Sequence, residues 1–282
     1  MLAQRVATAL VGIPVILGLI ALGGVPYSIA VAAVLVIAAL EFYRATDPAR
    51  TRAAPAAGIG ARPLVGILPG RLPALLGATA VALLVAGAHN GADWWAGAFV
   101  LSVGVFFLAL TLHGDPETGL GDWLWITGGL AYVGFLGSHL VFLRGLDDGR
   151  DWAILAIFAT FATDTAAYFV GRAFGRIHIT PHISPGKTLE GSFGGLIAGF
   201  VAVVFLNWVT GLRADAAPII VLALLLPLAA EVGDLAESLI KRGGGVKDAG
   251  ALVPGHGGFL DRLDSILFTV PLVYYFVIWA IL

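Results

Sequence analysis

The sequence predicts an all-α, polytopic integral membrane protein with about nine transmembrane helices and a cytoplasmic N-terminus. Three observations carry that prediction. The chain of 282 residues is 59% hydrophobic and only 12% charged, with a mean hydropathy of +0.94, whereas soluble domains run nearer about 25% charged. Apolar runs of about 18 residues or more, each able to cross roughly 30 Å of hydrocarbon, recur along its length. Lysine and arginine are divided very unevenly between alternate loops. A transmembrane β-barrel is excluded, because its strands would alternate apolar and polar over about 10 residues rather than stay apolar throughout.

The elements follow in order. The first run, 6–23, comes just after Arg5 and resembles a secretory signal. It is long, no A-x-A-like cleavage site follows, and further spans succeed it, so it reads as a retained first helix. The remaining spans are expected at 27–43, 73–90, 94–112, 123–143, 152–171, 190–210, 217–240 and 263–282. Between the second and third lies 44–72, rich in Pro, Gly, Ala and Arg, which reads as a loop or short interfacial segment. Residues 1–150 are expected to form a scaffold of about five spans, and 151–282 a second region of about four. Trp94, Trp95, Trp123 and Trp125 near span ends suit an interfacial aromatic belt. No internal repeat is evident, so the inverted halves of many transporters are not seen. The chain has no cysteine, which excludes disulfides and thiolate metal sites.

Orientation follows from the cations. If the nine spans alternate, one side receives Arg5, Arg44, Arg50, Arg52, Arg62, Arg71, Arg172, Arg176, Lys187, Lys241, Arg242, Lys247 and Arg262. The other receives only Arg144, Arg150 and Arg213. The positive-inside rule makes the first side cytoplasmic. The loops 172–189 and 241–262 then face the compartment that holds nucleotides, in the plasma or inner membrane of a cell.

Carboxylates within or beside the spans are the next signal. Asp164 lies near the cytoplasmic end of span six, and span eight ends PLAAEVGDLAESLIKR. At 3.6 residues per turn, Asp234 shares a helix face with Glu231, Glu237, Ser238 and Lys241, about 10 Å along the axis from the last. Carboxylates at that depth are costly unless paired, hydrated or metal-bound. The bland alternative is an ion pair locking two helices. The string that follows, KRGGGVKDAGALVPGHGGFLDRLD (241–264), sets Lys241, Arg242, Lys247 and Arg262 among Asp248, Asp261, Asp264 and seven glycines. Mg²⁺ favours one or two carboxylates with phosphate oxygens and water. Carboxylates to hold metal and cations to hold phosphate point to phosphoryl or nucleotidyl transfer. Glycines would let backbone amides approach phosphate closely.

PHISPGKTLEGSFGG (181–195) ends like a Walker A motif in its GKT, but that motif needs glycine five positions before Gly186, where Pro181 stands. What remains is a Ser-Pro turn delivering Lys187 and Thr188 to the start of span seven, whose N-terminus can favour a phosphate. His178 and His182 are four apart, but Pro181 between them forbids the helix that would align their rings. His256 is open to two roles, phosphate contact or proton transfer.

SLIKRGGGVKDAGALVPGHGGFLDRLD (238–264) closely resembles the signature of the phosphatidate cytidylyltransferase (CDP-diacylglycerol synthase) family. The matching positions are Ser238, Lys241, Arg242, Lys247, Asp248, His256, Gly257, Gly258, Asp261, Arg262 and Asp264. DTAAYFVGRAFGR, which opens at Asp164, and ISPGKTLEGSFGG also look like family segments. One departure is Gly186, where the family often carries a second lysine, so one phosphate contact is in question. The resemblance implies transfer of CMP from CTP to phosphatidic acid, giving CDP-diacylglycerol and pyrophosphate. It implies Mg²⁺ with a second cation, a homodimer in the bilayer, and no nucleic-acid partner. It assigns metal ligation to Asp234 and Asp261, with Asp264 close by. Lys247, Asp248 and His256 join these as candidate catalytic residues. Lys187, Thr188, Ser238, Lys241, Arg242, Arg262 and Asp164 are candidates for binding substrate. An ion-coupled transporter using Asp164, Glu231 and Asp234 would leave the cytoplasmic string idle. A nearer rival is another CTP-using lipid enzyme, such as a CDP-archaeol synthase or a polyprenol kinase.

Overall fold

A computed structural model describes residues 2–48, 72–113, 116–212, 214–250, 252 and 257–282, the side chains of 2–9 and 113 excepted. Most of the expected 44–72 loop therefore lies outside the described residues. Among those described, eight helices are long and apolar enough to cross a membrane, and a shorter apolar stretch, Leu10–Leu22, lies in a ninth. The protein is an all-α polytopic membrane protein, and every expected span falls on a helix.

In chain order these are α1 (Leu2–Leu22), α2 (Gly24–Ala45), α3 (Leu72–Asn90) and α4 (Ala92–His113). The fifth span is α5 (Gly119–Gly129), continuing through a π-helical turn, Leu130–Phe135, to α6 (His139–Gly145). Then come α7 (Gly149–Phe174), β1 (His178–Thr180), β2 (Ser184–Thr188), α8 (Leu189–Thr210) and α9 (Ala216–Gly243). A four-residue α10 (Leu260–Leu263) leads into α11 (Ile266–Ala280).

The strands are a local addition to the predicted fold. They pair antiparallel, His178 opposite Thr188 and Thr180 opposite Ser184, where the sequence suggested only a Ser-Pro turn. The hairpin ends in the Thr188 side chain, which accepts a hydrogen bond from the Gly191 amide at 3.2 Å. That caps α8 and satisfies one of its otherwise orphan N–H groups.

The chain divides into two compact units. One contains the residues up to Val141 together with Ile240–Leu263; the other contains Phe142–Leu239 and Asp264–Leu282. The described residues of 241–263 belong with the N-terminal helices: Gly244 lies against the backbone of Ala45, and the Leu260 amide bonds to Glu41.

In the first unit Tyr43 is the central plug. Its ring is fully buried, close against Gly77 of α3 and Gly129 of α5, and its hydroxyl donates to the Ile126 carbonyl at 2.8 Å. Trp125 donates to Thr46 Oγ1 at 2.9 Å and Trp95 to Ser138 Oγ at 2.7 Å. These two indoles thus brace helices, whereas Trp94 is 71% exposed as an interfacial residue would be. In the second unit α7 and α8 approach closely along Gly191, Gly195 and Gly199, which face Ala167 and Thr163. Small residues at that spacing are how helices associate in lipid, where van der Waals contact replaces hydrophobic expulsion. Ile197 and Val201 on α8, 66% and 58% exposed, and Phe107 and Leu108 on α4 present the apolar surface that lipid requires.

Candidate active site

The charged residues form two clusters, one in each unit. In the second unit the cluster centres on Lys187 at the end of β2. Its ammonium lies 2.9 Å from Glu231 Oε2 and 3.1 Å from Asp234 Oδ2, both on α9, and donates to the Glu231 carbonyl at 3.0 Å. Ser192, one turn into α8, donates to Glu231 Oε2 at 3.1 Å. The hairpin thus aims Lys187 at α9, and the Thr188 cap fixes where the hairpin stops. Burial alone would lower the Lys187 ammonium, but the carboxylates of Asp234 and Glu231 outweigh it and hold its pKa above the ordinary lysine value. Ser238 lies one turn beyond Asp234, with its hydroxyl 3.5 Å from Asp234 Oδ1.

The same unit brings Asp164 and Asp264 into electrostatic range of these groups. Asp164 Oδ1 accepts from Ser265 Oγ at 3.2 Å, and Asp264 Oδ1 accepts from the Ser265 amide at 2.8 Å. One serine therefore orients two carboxylates at the break between α10 and α11.

The first unit holds the second cluster, centred on Asp261. Lys241 Nζ lies 2.8 Å from its Oδ1. The Ala249 amide donates to both oxygens, at 3.3 and 3.1 Å, and the Gly258 amide to Oδ2 at 2.8 Å. Asp261 is 7% exposed, so these contacts are made largely out of water. Charge-assisted bonds of this kind are about twice as strong as neutral ones. Lys247, Asp248 and Arg262 are exposed and Arg242 is half-buried; His256 lies outside the described residues.

Thr188 is buried as the α8 cap, so its oxygen already serves the fold. The sequence reading missed Glu41. It sits on α2, is 5% exposed, and accepts from the Leu260 amide at 2.9 Å. The available signal was an acidic residue inside an apolar run, AALEFYRA.

The donor set suits a hard cation. Asp164, Glu231, Asp234 and Asp264 share the second unit's cluster with the ammonium of Lys187, four carboxyl groups beside one cation. Among the described residues no three acidic or histidine side chains converge as a ready-made metal cage. Mg²⁺ needs none, because it takes one or two carboxylates and completes its shell with water and substrate phosphate.

Fold and clusters together define a helical membrane protein whose paired lysines and carboxylates suit phosphate chemistry. The chain belongs to the cytidylyltransferase family, whose model matches residues 3–280. A relative from Synechocystis sp. named phosphatidate cytidylyltransferase is 33% identical over 311 residues, covering 98% of this chain and 96% of that one. Relatives of the same name from Bacillus subtilis and Brucella suis are 38% and 42% identical over 151 and 157 residues. Those two matches cover 53% and 54% of this chain and 56% of each relative, so the chain spans about half the length of these two.

Proposed function

We propose that this protein is a phosphatidate cytidylyltransferase. It would transfer CMP from CTP to phosphatidic acid and release pyrophosphate. The observation that carries the reading is the family match over residues 3–280, joined by near full-length similarity to a relative of that name. The pairing of candidate phosphate-binding lysines with candidate metal-binding aspartates supports it.

An anionic oxygen of the lipid phosphate attacks the α-phosphorus of CTP in line. The new P–O bond forms as the bond to the β-phosphate oxygen breaks, and its electron pair leaves with pyrophosphate. No protein nucleophile is needed, because the attacking oxygen is already charged at neutral pH. Asp234 and Asp264 in the second unit's cluster and Asp261 in the first unit's are the carboxylates that would hold Mg²⁺ or a second cation. When bound, that ion supplies charge neutralisation between two anionic reactants and on the leaving group. Lys187, Lys241, Arg242, Lys247 and Arg262 bind phosphate oxygens. The active side faces the cytoplasm, the protein resides in the plasma or inner membrane, and it works as a homodimer.

The test is direct. Purified protein is given phosphatidic acid, Mg²⁺ and CTP labelled at the α-phosphate, and label is sought in lipid. A CDP-lipid product that vanishes with chelator and in Asp261→Asn supports the reading. No labelled lipid, or full activity of Asp261→Asn, overturns it. Lipid labelled from γ-labelled CTP instead would make the protein a kinase.

A further inference from the structure

We infer that Glu41 is a positioning residue that anchors the Asp261 segment from α2. Its carboxylate is almost fully buried, and its Oε2 accepts from the Leu260 amide at 2.9 Å, next in sequence to Asp261. The backbone comes against it from two further points. A Cβ built on Gly250 or on Gly258 would overlap the Glu41 carboxylate, so both positions must stay bare for their backbone to lie against it. Gly258 also touches the other acid, since its amide donates to Asp261 Oδ2 at 2.8 Å. One glycine is therefore held between Glu41 and Asp261, and one short segment, 258–261, is fixed by both.

Glu41 Oε1 has no hydrogen-bond partner among the described residues. Burying a carboxylate half-satisfied is expensive, and helix–helix packing alone would be served by a leucine at that position. The arrangement makes sense if the Leu260 amide must be held where Asp261 faces Lys241 at 2.8 Å. Small displacements of a reacting group are costly, about a hundredfold for 1 Å. Glu41 acts through the position of Asp261 and needs no contact with substrate.

The assignment rests on the proposed nucleotidyl transfer, and two independent readouts keep the two ideas apart. In full-length protein in lipid nanodiscs, hydrogen–deuterium exchange reports the amides of 257–263 whether or not the protein is active. Glu41→Ala should speed exchange there, while Glu41→Gln, whose carbonyl oxygen still accepts from Leu260, should leave it near the parent. In the CMP-transfer assay Glu41→Ala should lower kcat at least about tenfold, with Glu41→Gln restoring most of it. Gly250→Ala should also lower kcat, but should cost nothing further in the Glu41→Ala background, where the added methyl has room. Unchanged exchange in Glu41→Ala, equal impairment of Glu41→Gln, or independent multiplication of the Gly250→Ala and Glu41→Ala losses would each overturn the anchor. If the parent makes no CDP-lipid, the functional reading fails and the exchange data alone decide the anchor.

Discussion

Lys187 is ion-paired to two carboxylates at once. It is 12% exposed and serves Glu231, itself 15% exposed, and Asp234, which is 37% exposed. Removing one partner of such a pair leaves carboxylates uncompensated, so Lys187→Met should lower stability by about 2–4 kcal/mol, the lower end reflecting the exposure of Asp234. The pH dependence has a definite sign. The lysine pKa is raised on folding, so its contribution is fully present below the unfolded value of about 10.4 and is lost as pH climbs through the higher folded value. Thermal unfolding of parent and variant should therefore differ by a constant margin from about pH 7 to 10, and the margin should shrink above that. A margin that disappears at neutral pH would contradict the pairing. Lys187, Asp234 and Asp261 stood out in the sequence as candidates, Asp234 as a carboxylate in an apolar run and the other two as charges in glycine-rich strings, and the structure places each in an ion pair. Glu41 did not, because its meaning depends on Leu260, 219 residues away, and no local spacing encodes that contact.

At the scale of elements, apolar length alone located the helices, since a bilayer-crossing run needs no partner to be recognised. What length could not convey was the hairpin. Its strands are three and five residues long, and β2 contains Pro185 and Gly186, residues that depress strand propensity. Nor does a glycine in a membrane helix reveal which neighbour it admits. Gly199 lies against Thr163 Oγ1 and Pro227, whereas Gly104 on α4 has nothing within 4 Å of where a Cβ would sit. Gly199→Val should therefore overpack the α7, α8 and α9 contact and cost about 1–3 kcal/mol. Gly104→Val should stay within about 0.5 kcal/mol of the parent. Unfolding midpoints of the two purified variants under identical conditions decide the matter, and equal midpoints would mean that the glycine face of α8 is not a packing surface.

For the whole molecule, the proposed chemistry requires the cation-bearing loops to share one compartment. Among the described residues, eight helices long and apolar enough to cross a membrane and a shorter apolar stretch in a ninth match the number of spans on which the thirteen-to-three division of Lys and Arg was counted. That division argues for a cytoplasmic N-terminus. The chain contains no cysteine, so each introduced thiol is unique. His182→Cys and Leu252→Cys lie in the two loops expected to face CTP. Asp147→Cys and Asp215→Cys lie in loops expected on the other side, and all four positions are exposed. In intact spheroplasts a membrane-impermeant maleimide should label positions 147 and 215, and should reach 182 and 252 only after permeabilisation. The reverse pattern would put the candidate site outside the cell, away from nucleotide, and would end the cytoplasmic assignment. Labelling of 182 and 252 on opposite sides would break the alternation itself, because an even number of crossings must separate two loops that work on one nucleotide.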